Sequence, residues 1–98
     1  MKIVVNKCYG GFGLSKEAMD MLGKDNEYYE DDRTNPALIE AIEKLGNKAS
    51  GNFAKLTVIE IPDEATDYDI SYYDGMETLI YVVNGKLYSA WQNSTIII

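Results

Sequence analysis

The sequence predicts a single α+β domain over residues 1–98, a two-layer sandwich with two helices on one face of a mixed five-stranded sheet. Three observations support this prediction. The chain of 98 residues has the length of one domain. Two segments have the start and stop residues of helices, and five short segments are rich in β-branched and aromatic residues. The predicted order of elements is β-α-α-β-β-β-β.

The first half of the chain contains one predicted strand and both helices. Residues 2–7 (KIVVNK) form the first strand, and a glycine loop follows it. Ser15 is the expected N-cap of the first helix, and Gly23 is the left-handed residue that ends it. Asn35 is the N-cap of the second helix, with proline at the first helical position, and Gly46 ends this helix.

The second half of the chain contains the other four predicted strands. They cover residues 54–61, 68–72, 76–83 and 86–91, and the last two flank Asn84-Gly85, the strongest short signal for a hairpin. We expect the first two strands of the chain to lie parallel, joined by a right-handed crossover through the helices. The last three strands should form an antiparallel meander.

The hairpin has two apolar faces. A two-residue turn fixes its register, so that alternate residues share a face. The face predicted to lie in the core contains Ile80, Val82, Leu87 and Trp91. The opposite face contains Leu79, Tyr81, Val83 and Tyr88. Because this second face is also apolar, we expect residues 96–98, a second subunit or a partner to cover it.

The composition excludes several classes of function. The chain has no histidine and a single cysteine, which excludes Ser-His and Cys-His nucleophilic pairs and most zinc and iron sites. We therefore predict no catalytic residues, no metal and no cofactor. A lone cysteine fits a reducing cytosol. The sequence also lacks the apolar runs of a membrane span or a secretory signal, so a cytoplasmic location is expected.

The negative charge is concentrated in two blocks. Sixteen acidic and nine basic residues give a net charge of −7. Residues 25–33 contain five acids and one arginine, and residues 63–78 contain six acids and no base. Such a field repels nucleic acid and anionic lipid, so we expect neither direct nucleic-acid binding nor membrane binding. A host protein with a basic surface is the expected partner.

Tyrosines lie within or beside these acidic blocks. Tyrosine is favoured at protein interfaces, and surrounding carboxylates attract Arg and Lys, although some of these tyrosines can equally belong to the core. The predicted partner-binding residues are Tyr28, Tyr29, Glu30, Asp31, Asp32, Asp67, Asp69, Tyr73, Tyr81 and Tyr88.

The glycine loop is the alternative site. A strand followed by glycines and a capped helix is a layout in which backbone N–H groups can hold an anion. The candidate ligand-binding residues are Cys8, Tyr9, Gly10, Gly11, Gly13 and Ser15. The sequence lacks the lysine of a P-loop and the third glycine of a dinucleotide fingerprint. A structural role for these glycines is therefore the preferred interpretation.

Three segments resemble a family of small phage and prophage proteins. They are KIVVNKCYGGFGLSKEA, RTNPALIEAIEKLG and FAKLTVIEIPDEATDYDISYYDGMETL, which together cover most of residues 2–79. The resemblance implies a phage origin and a host-cell cytoplasmic location, and it brings no catalytic residues with it. The sequence departs from the family at its end. Relatives finish soon after the YDGxE motif with His-Arg and Trp, whereas this chain continues into a hairpin without histidine.

The leading hypothesis is a phage-derived accessory protein that binds a host protein, for example to inhibit an enzyme of nucleic-acid handling or defence. Its carboxylates would then occupy a phosphate channel. The first alternative is a binder of small anionic ligands at residues 10–15. The second alternative is a structural homodimer held by the second apolar face of the hairpin.

Overall fold

The computed structural model describes residues 1–25, 32–91 and 94–97, and the fold is α+β. A 3₁₀ turn over Gly46–Ala49 follows the second helix. In chain order the helices and strands are β1 (Lys2–Asn6), α1 (Lys16–Leu22), α2 (Pro36–Leu45), β2 (Leu56–Glu60), β3 (Asp67–Tyr73), β4 (Met76–Val83), β5 (Lys86–Trp91) and β6 (Ser94–Ile97).

The strands form two sheets, so the prediction of one mixed five-stranded sheet is wrong. β1 and β2 pair only with each other among the described residues, and we call this two-stranded sheet the ribbon. β3, β4, β5 and β6 pair in sequence order into a second sheet, which we call the meander. The antiparallel pairing of the last three predicted strands is confirmed.

The two strands of the ribbon are antiparallel, not parallel as expected. Asn6 pairs with Leu56, so β2 begins beside the residue where β1 ends. The reason is that two helices lie between the strands. α1 leads the chain away and α2 brings it back to the same end, whereas the right-handed crossover rule applies to a connection that returns to the opposite end of the sheet.

The ribbon lies between the helices and the meander, which gives three layers with two cores. Successive residues of a strand point to opposite faces, and both faces of the ribbon are apolar. The helix-side core contains Val4, Leu14, Ala18, Leu38, Ile42, Ala49 and Leu56. The meander-side core contains Ile3, Val5, Ile59, Ile61, Leu79, Tyr81 and Ala90. A two-stranded sheet buried on both sides replaces the predicted two-layer sandwich.

The hairpin register was predicted correctly, but its two faces were assigned the wrong way round. Tyr81 pairs with Tyr88 as expected. Tyr81 is only 2% exposed and lies in the core, whereas Leu87 on the opposite face is 49% exposed. The ribbon itself covers the face of Leu79 and Tyr81, so this face is not available to a second subunit. Residues 94–97 extend the meander as β6 beside β5, and Ile98 lies outside the described residues.

Local signals placed the helix ends and the turns correctly. The Ser15 side chain accepts a hydrogen bond from the Ala18 N–H, and Gly23 ends α1 with a φ of 66°. The turns at residues 74–75 and 84–85 both have positive φ at each residue, as a two-residue hairpin turn requires.

The choice of core face predicts that two leucine substitutions in the hairpin lower the free energy of unfolding by very different amounts. Leu79→Ala should lower the free energy of unfolding by about 3 kcal/mol, because it leaves a cavity between ribbon and meander. Leu87→Ala should lower it by less than about 1 kcal/mol, because the side chain is half exposed. Urea unfolding of both variants measures the difference. Equal losses would contradict the assignment of the faces.

Candidate functional site

A cluster of polar side chains joins the ribbon to the meander, and we call Asn6, Lys7, Arg33 and Glu77 the junction cluster. Asn6, Lys7 and Glu77 are buried. Both carboxylate oxygens of Glu77 accept hydrogen bonds from the Arg33 guanidinium, at 2.6 and 2.9 Å. This two-point contact is the strongest geometry for an arginine–carboxylate pair. The Arg33 guanidinium also lies 3.9 Å from the centre of the Phe12 ring.

The junction cluster closes the edge of β1 that faces away from β2. The Val4 N–H donates to the backbone carbonyl of Arg33 at 3.0 Å, and the Arg33 guanidinium donates to the Val4 carbonyl at 3.4 Å. The Asn6 N–H donates to the Glu77 carboxylate at 2.8 Å. Backbone groups at a buried sheet edge need such partners. The Arg33 and Glu77 side chains and the Arg33 carbonyl therefore satisfy backbone groups of β1 that would otherwise pair with a third strand.

The Asn6 side chain connects three further segments. Its amide nitrogen donates to the carbonyls of Cys8 and Gly75 at 2.8 and 2.7 Å. Its amide oxygen accepts from the Lys55 N–H at 2.9 Å. The end of β1, the start of β2 and the β3–β4 turn are thus bound to one buried amide, which is a structural role.

Lys7 is the most deeply buried charged side chain among the described residues, at 6% exposed. Its ammonium donates to the Glu77 carbonyl at 2.8 Å. Burial lowers the pKa of the Lys7 ammonium below its ordinary value of 10.5, and the negative charge of Glu77 opposes that shift. Hydrogen bonding and a nearby carboxylate allow the cation to remain in the interior.

The glycine loop packs tightly against two neighbouring segments. A methyl group at Gly10 would overlap the backbone of Phe53, and one at Gly75 would overlap the backbone of Gly11. The Gly51 N–H donates to the Gly13 carbonyl at 2.8 Å. The glycines permit these close approaches, in agreement with the structural interpretation.

The other candidate ligand residues lie around the same corner. Cys8 is partly exposed, Tyr9 is exposed, and the Ser15 hydroxyl is used as the cap of α1. A depression of about 290 Å³ lies between residues 10–13 and 51–54. α1 has only seven residues, so its helix dipole is small. Anion binding at this loop stays a prediction.

The outer face of the meander, opposite the ribbon, combines carboxylates with apolar side chains. Its groove of about 210 Å³ is lined by Asp67, Tyr68, Asp69, Ile80, Val82 and Leu87, which we call the acidic groove. The register places Asp67 opposite Val82 and Asp69 opposite Ile80. Each carboxylate therefore lies beside a branched apolar side chain that is only partly buried.

The predicted partner-binding residues that the structure describes do not form one surface. Asp67 and Asp69 line the acidic groove, and Tyr73 is 74% exposed at the end of the same strand. Tyr81 is a correction: its ring is buried and stacks on the partly buried Tyr88, with 5.4 Å between ring centres. The Tyr81 ring lies in the core and cannot present the expected surface to a partner, whereas a partner contact by Tyr88 stays a prediction.

The first acidic block is described only in part. Asp32 is exposed, and the Thr34 hydroxyl and N–H donate to its carboxylate at 2.6 and 2.8 Å. These two bonds hold the pKa of Asp32 below its ordinary value. Asp32 thus shapes the turn before α2. The expected partner residues Tyr28, Tyr29, Glu30 and Asp31 lie outside the described residues.

A cluster of metal-ligating side chains and a helix able to cross a membrane are both absent from the part of the chain that the structure describes. Within it, no group of three or more His, Cys, Asp or Glu side chains is placed to hold a metal ion. No helix there is both long and apolar enough to cross a bilayer.

Sequence reasoning missed the junction cluster, although one signal for it existed. Glu77, Leu79 and Tyr81 alternate along β4 and so share a face. Had Leu79 and Tyr81 been assigned to the core, Glu77 would have required a buried cationic partner. Arg33 is the only base of the first acidic block. The pairing itself spans 44 residues and has no local signature.

Compared with family models, curated proteins and solved structures, the chain matches none of them. Any role given to its residues therefore rests on their own contacts.

The Arg33–Glu77 pair predicts a large loss of stability when one partner is removed. Glu77→Ala should lower the free energy of unfolding by about 3 kcal/mol, because it leaves a poorly solvated guanidinium and an unpaired Asn6 N–H. Glu43→Ala is the control, since Glu43 pairs with Lys2 at the surface and should contribute less than about 1 kcal/mol. Urea unfolding compares them. A loss for Glu77→Ala no larger than that of the control would refute the role of the cluster.

The glycine packing predicts unequal effects at two similar turns. Gly75 and Gly85 both have positive φ, but only Gly75 has backbone atoms where a side chain would begin. Gly85→Ala should cost about 1 kcal/mol, the strain of a left-handed residue. Gly75→Ala should cost clearly more, because the turn must also move away from Gly11. Thermal unfolding of the two variants checks this, and equal shifts in Tm would argue against the close contact.

Proposed function

We propose that this chain is a phage-derived accessory protein that acts by stoichiometric binding to a host protein with a basic surface. The observation that supports the proposal is the acidic groove, an exposed surface with carboxylates beside apolar side chains. Basic partners are attracted and oriented by such carboxylates, while burial of the apolar part supplies affinity.

Some carboxylates of the second acidic block already form ion pairs within the chain, and others do not. Glu77 is bound to Arg33, and Asp63 lies 3.0 Å from the terminal ammonium of Met1. Asp67 and Asp69 are exposed, and neither takes part in an ion pair among the described residues. The block contains no basic residue that could neutralise them. These two carboxylates therefore provide negative charge at the groove that no described cation neutralises.

The apolar residues of the groove provide apolar surface that a bound partner can bury. Ile80 and Val82 are partly buried, and Leu87, which pairs with Val82, is half exposed. An interface with an apolar centre and a charged rim is the usual arrangement in protein complexes. Tyr73 lies on the same face of the meander, since it is four residues from Asp69 along β3 and alternate residues of a strand share a face. Exposed tyrosine is a favoured contact residue.

The form of binding that we propose is inhibition of a nucleic-acid-handling or defence enzyme. Such enzymes have basic channels that hold phosphates. The carboxylates of Asp67 and Asp69 lie two residues apart on one face of a strand, at about 7 Å along the chain. That is close to the spacing of successive phosphates in a single nucleic-acid strand, so a phosphate channel can accept them.

Retention from host lysate by the immobilised protein tests the proposal. The wild type should retain a specific protein at low ionic strength, and the double charge reversal D67K/D69K should lose it. The matched control is D20K/D25K, which changes the net charge equally at exposed residues away from the groove. The retained protein, once purified, should form a complex of defined stoichiometry and lose nucleic-acid binding. Retention of nothing, or equal loss with the control, would contradict the proposal.

A further inference from the structure

β3 is an edge strand whose second side is open in the part of the chain that the structure describes. β4 pairs with one side over all seven residues, and no described strand pairs with the other side. Every residue of β3 except the partly buried Ile70 is exposed. An edge of this length is a template for the addition of another strand.

Two backbone N–H groups of β3 are capped by the side chains that precede them. The Tyr68 N–H donates to Asp67 and the Ile70 N–H donates to Asp69, both at 2.9 Å. In an antiparallel pair, alternate residues turn their N–H groups away from the partner strand. Tyr73 and Met76 flank a two-residue turn and so form a hydrogen-bonded pair, which turns the N–H groups of the odd-numbered residues of β3 toward β4. Tyr68 and Ile70 are even-numbered, so both capped groups belong to the open side. These caps are local and exposed, unlike the partners of β1, which come from distant segments.

The two aspartates make this edge selective for charge. A carbonyl of an added strand would replace each carboxylate as the acceptor, and the displaced carboxylate would then need a counter-charge. Lysine or arginine on the added strand supplies it, as in favourable cross-strand pairs. A second copy of β3 would instead set carboxylates against carboxylates, which is unfavourable. Cross-strand charge therefore favours the addition of a basic strand to this edge and disfavours acidic strands, including a second copy of β3.

We infer that the partner contributes an extended basic segment, which adds to the open edge of β3 as a strand and pairs its cationic side chains with Asp67 and Asp69. This inference rests on the proposed function and names the way in which the partner binds. It also explains why the carboxylates lie on an edge strand and not on a central one. The apolar residues of the acidic groove lie on the same face as the paired charges.

A labelled seven-residue peptide that alternates lysine and valine is the probe, since it matches β3 in length. Fluorescence anisotropy measures its binding to the intact protein. Three comparison peptides separate charge from strand pairing. The first is N-methylated at every amide and keeps the charges without donating backbone hydrogen bonds. The second replaces lysine with glutamate, and the third replaces lysine with threonine.

The lysine peptide should bind, and the methylated and glutamate peptides should bind at least about tenfold more weakly, as expected for the loss of two or three contacts of modest energy. D67N/D69N keeps the side-chain acceptors and removes both charges, so it should weaken binding of the lysine peptide. The matched control D20N/D25N should leave it unchanged. The threonine peptide should be intermediate between the lysine and glutamate peptides.

Equal binding of the methylated and unmethylated lysine peptides would overturn the inference, because charge alone would then account for binding. Absence of binding by the lysine peptide would also overturn it. Neither result decides the proposed function, which fails separately if lysate retention does not depend on Asp67 and Asp69.

Discussion

The contact on which the rest of the structure depends is the carboxylate of Glu77. It receives the Arg33 guanidinium and the Asn6 N–H across the boundary between meander and ribbon. A buried carboxylate is unfavourable unless it is paired and hydrogen-bonded, so β4 can lie on the ribbon only in the orientation that provides both partners. Because Glu77 shares a face with Leu79 and Tyr81, this orientation buries that face. The acidic groove is then exposed as a direct consequence.

Among the described residues, the outer edges of β1 and β3 are satisfied in different ways. The edge of β1 is closed by Arg33 and Glu77, which are held in place by the packing of separate layers. The edge of β3 is capped only by Asp67 and Asp69, which are exposed neighbours of the amides they cap. Closing the first edge stabilises the fold, whereas in the proposed mode of binding the second edge exchanges its caps for a strand of the partner. This contrast connects the architecture to the proposed binding function.

Local features of the sequence were sufficient to predict the helix ends, the turns and the hairpin register, because caps and left-handed turn residues act over a few positions. They could not predict which sheet face is buried, since both faces of the hairpin are apolar. That choice depends on Glu77 and Arg33, which are distant in sequence.

The prediction that β1 and β2 are parallel was wrong for a related reason, because the path of a helix pair is set by tertiary packing. The partner contacts expected of Asp67 and Asp69 from composition stay a prediction, and their capping of β3 could be seen only in the backbone geometry.

Amide hydrogen exchange measured by NMR tests most directly whether Glu77 and Arg33 close the β1 edge. We expect the outward N–H groups of Val4 and Asn6 to exchange as slowly as those of Ile3 and Val5, which lie within the ribbon. The N–H groups of Tyr68 and Ile70 should exchange much faster, because their caps are exposed. If Val4 and Asn6 exchanged as fast as Tyr68 and Ile70, the β1 edge would be open to solvent. The ribbon and meander would then not be joined as described.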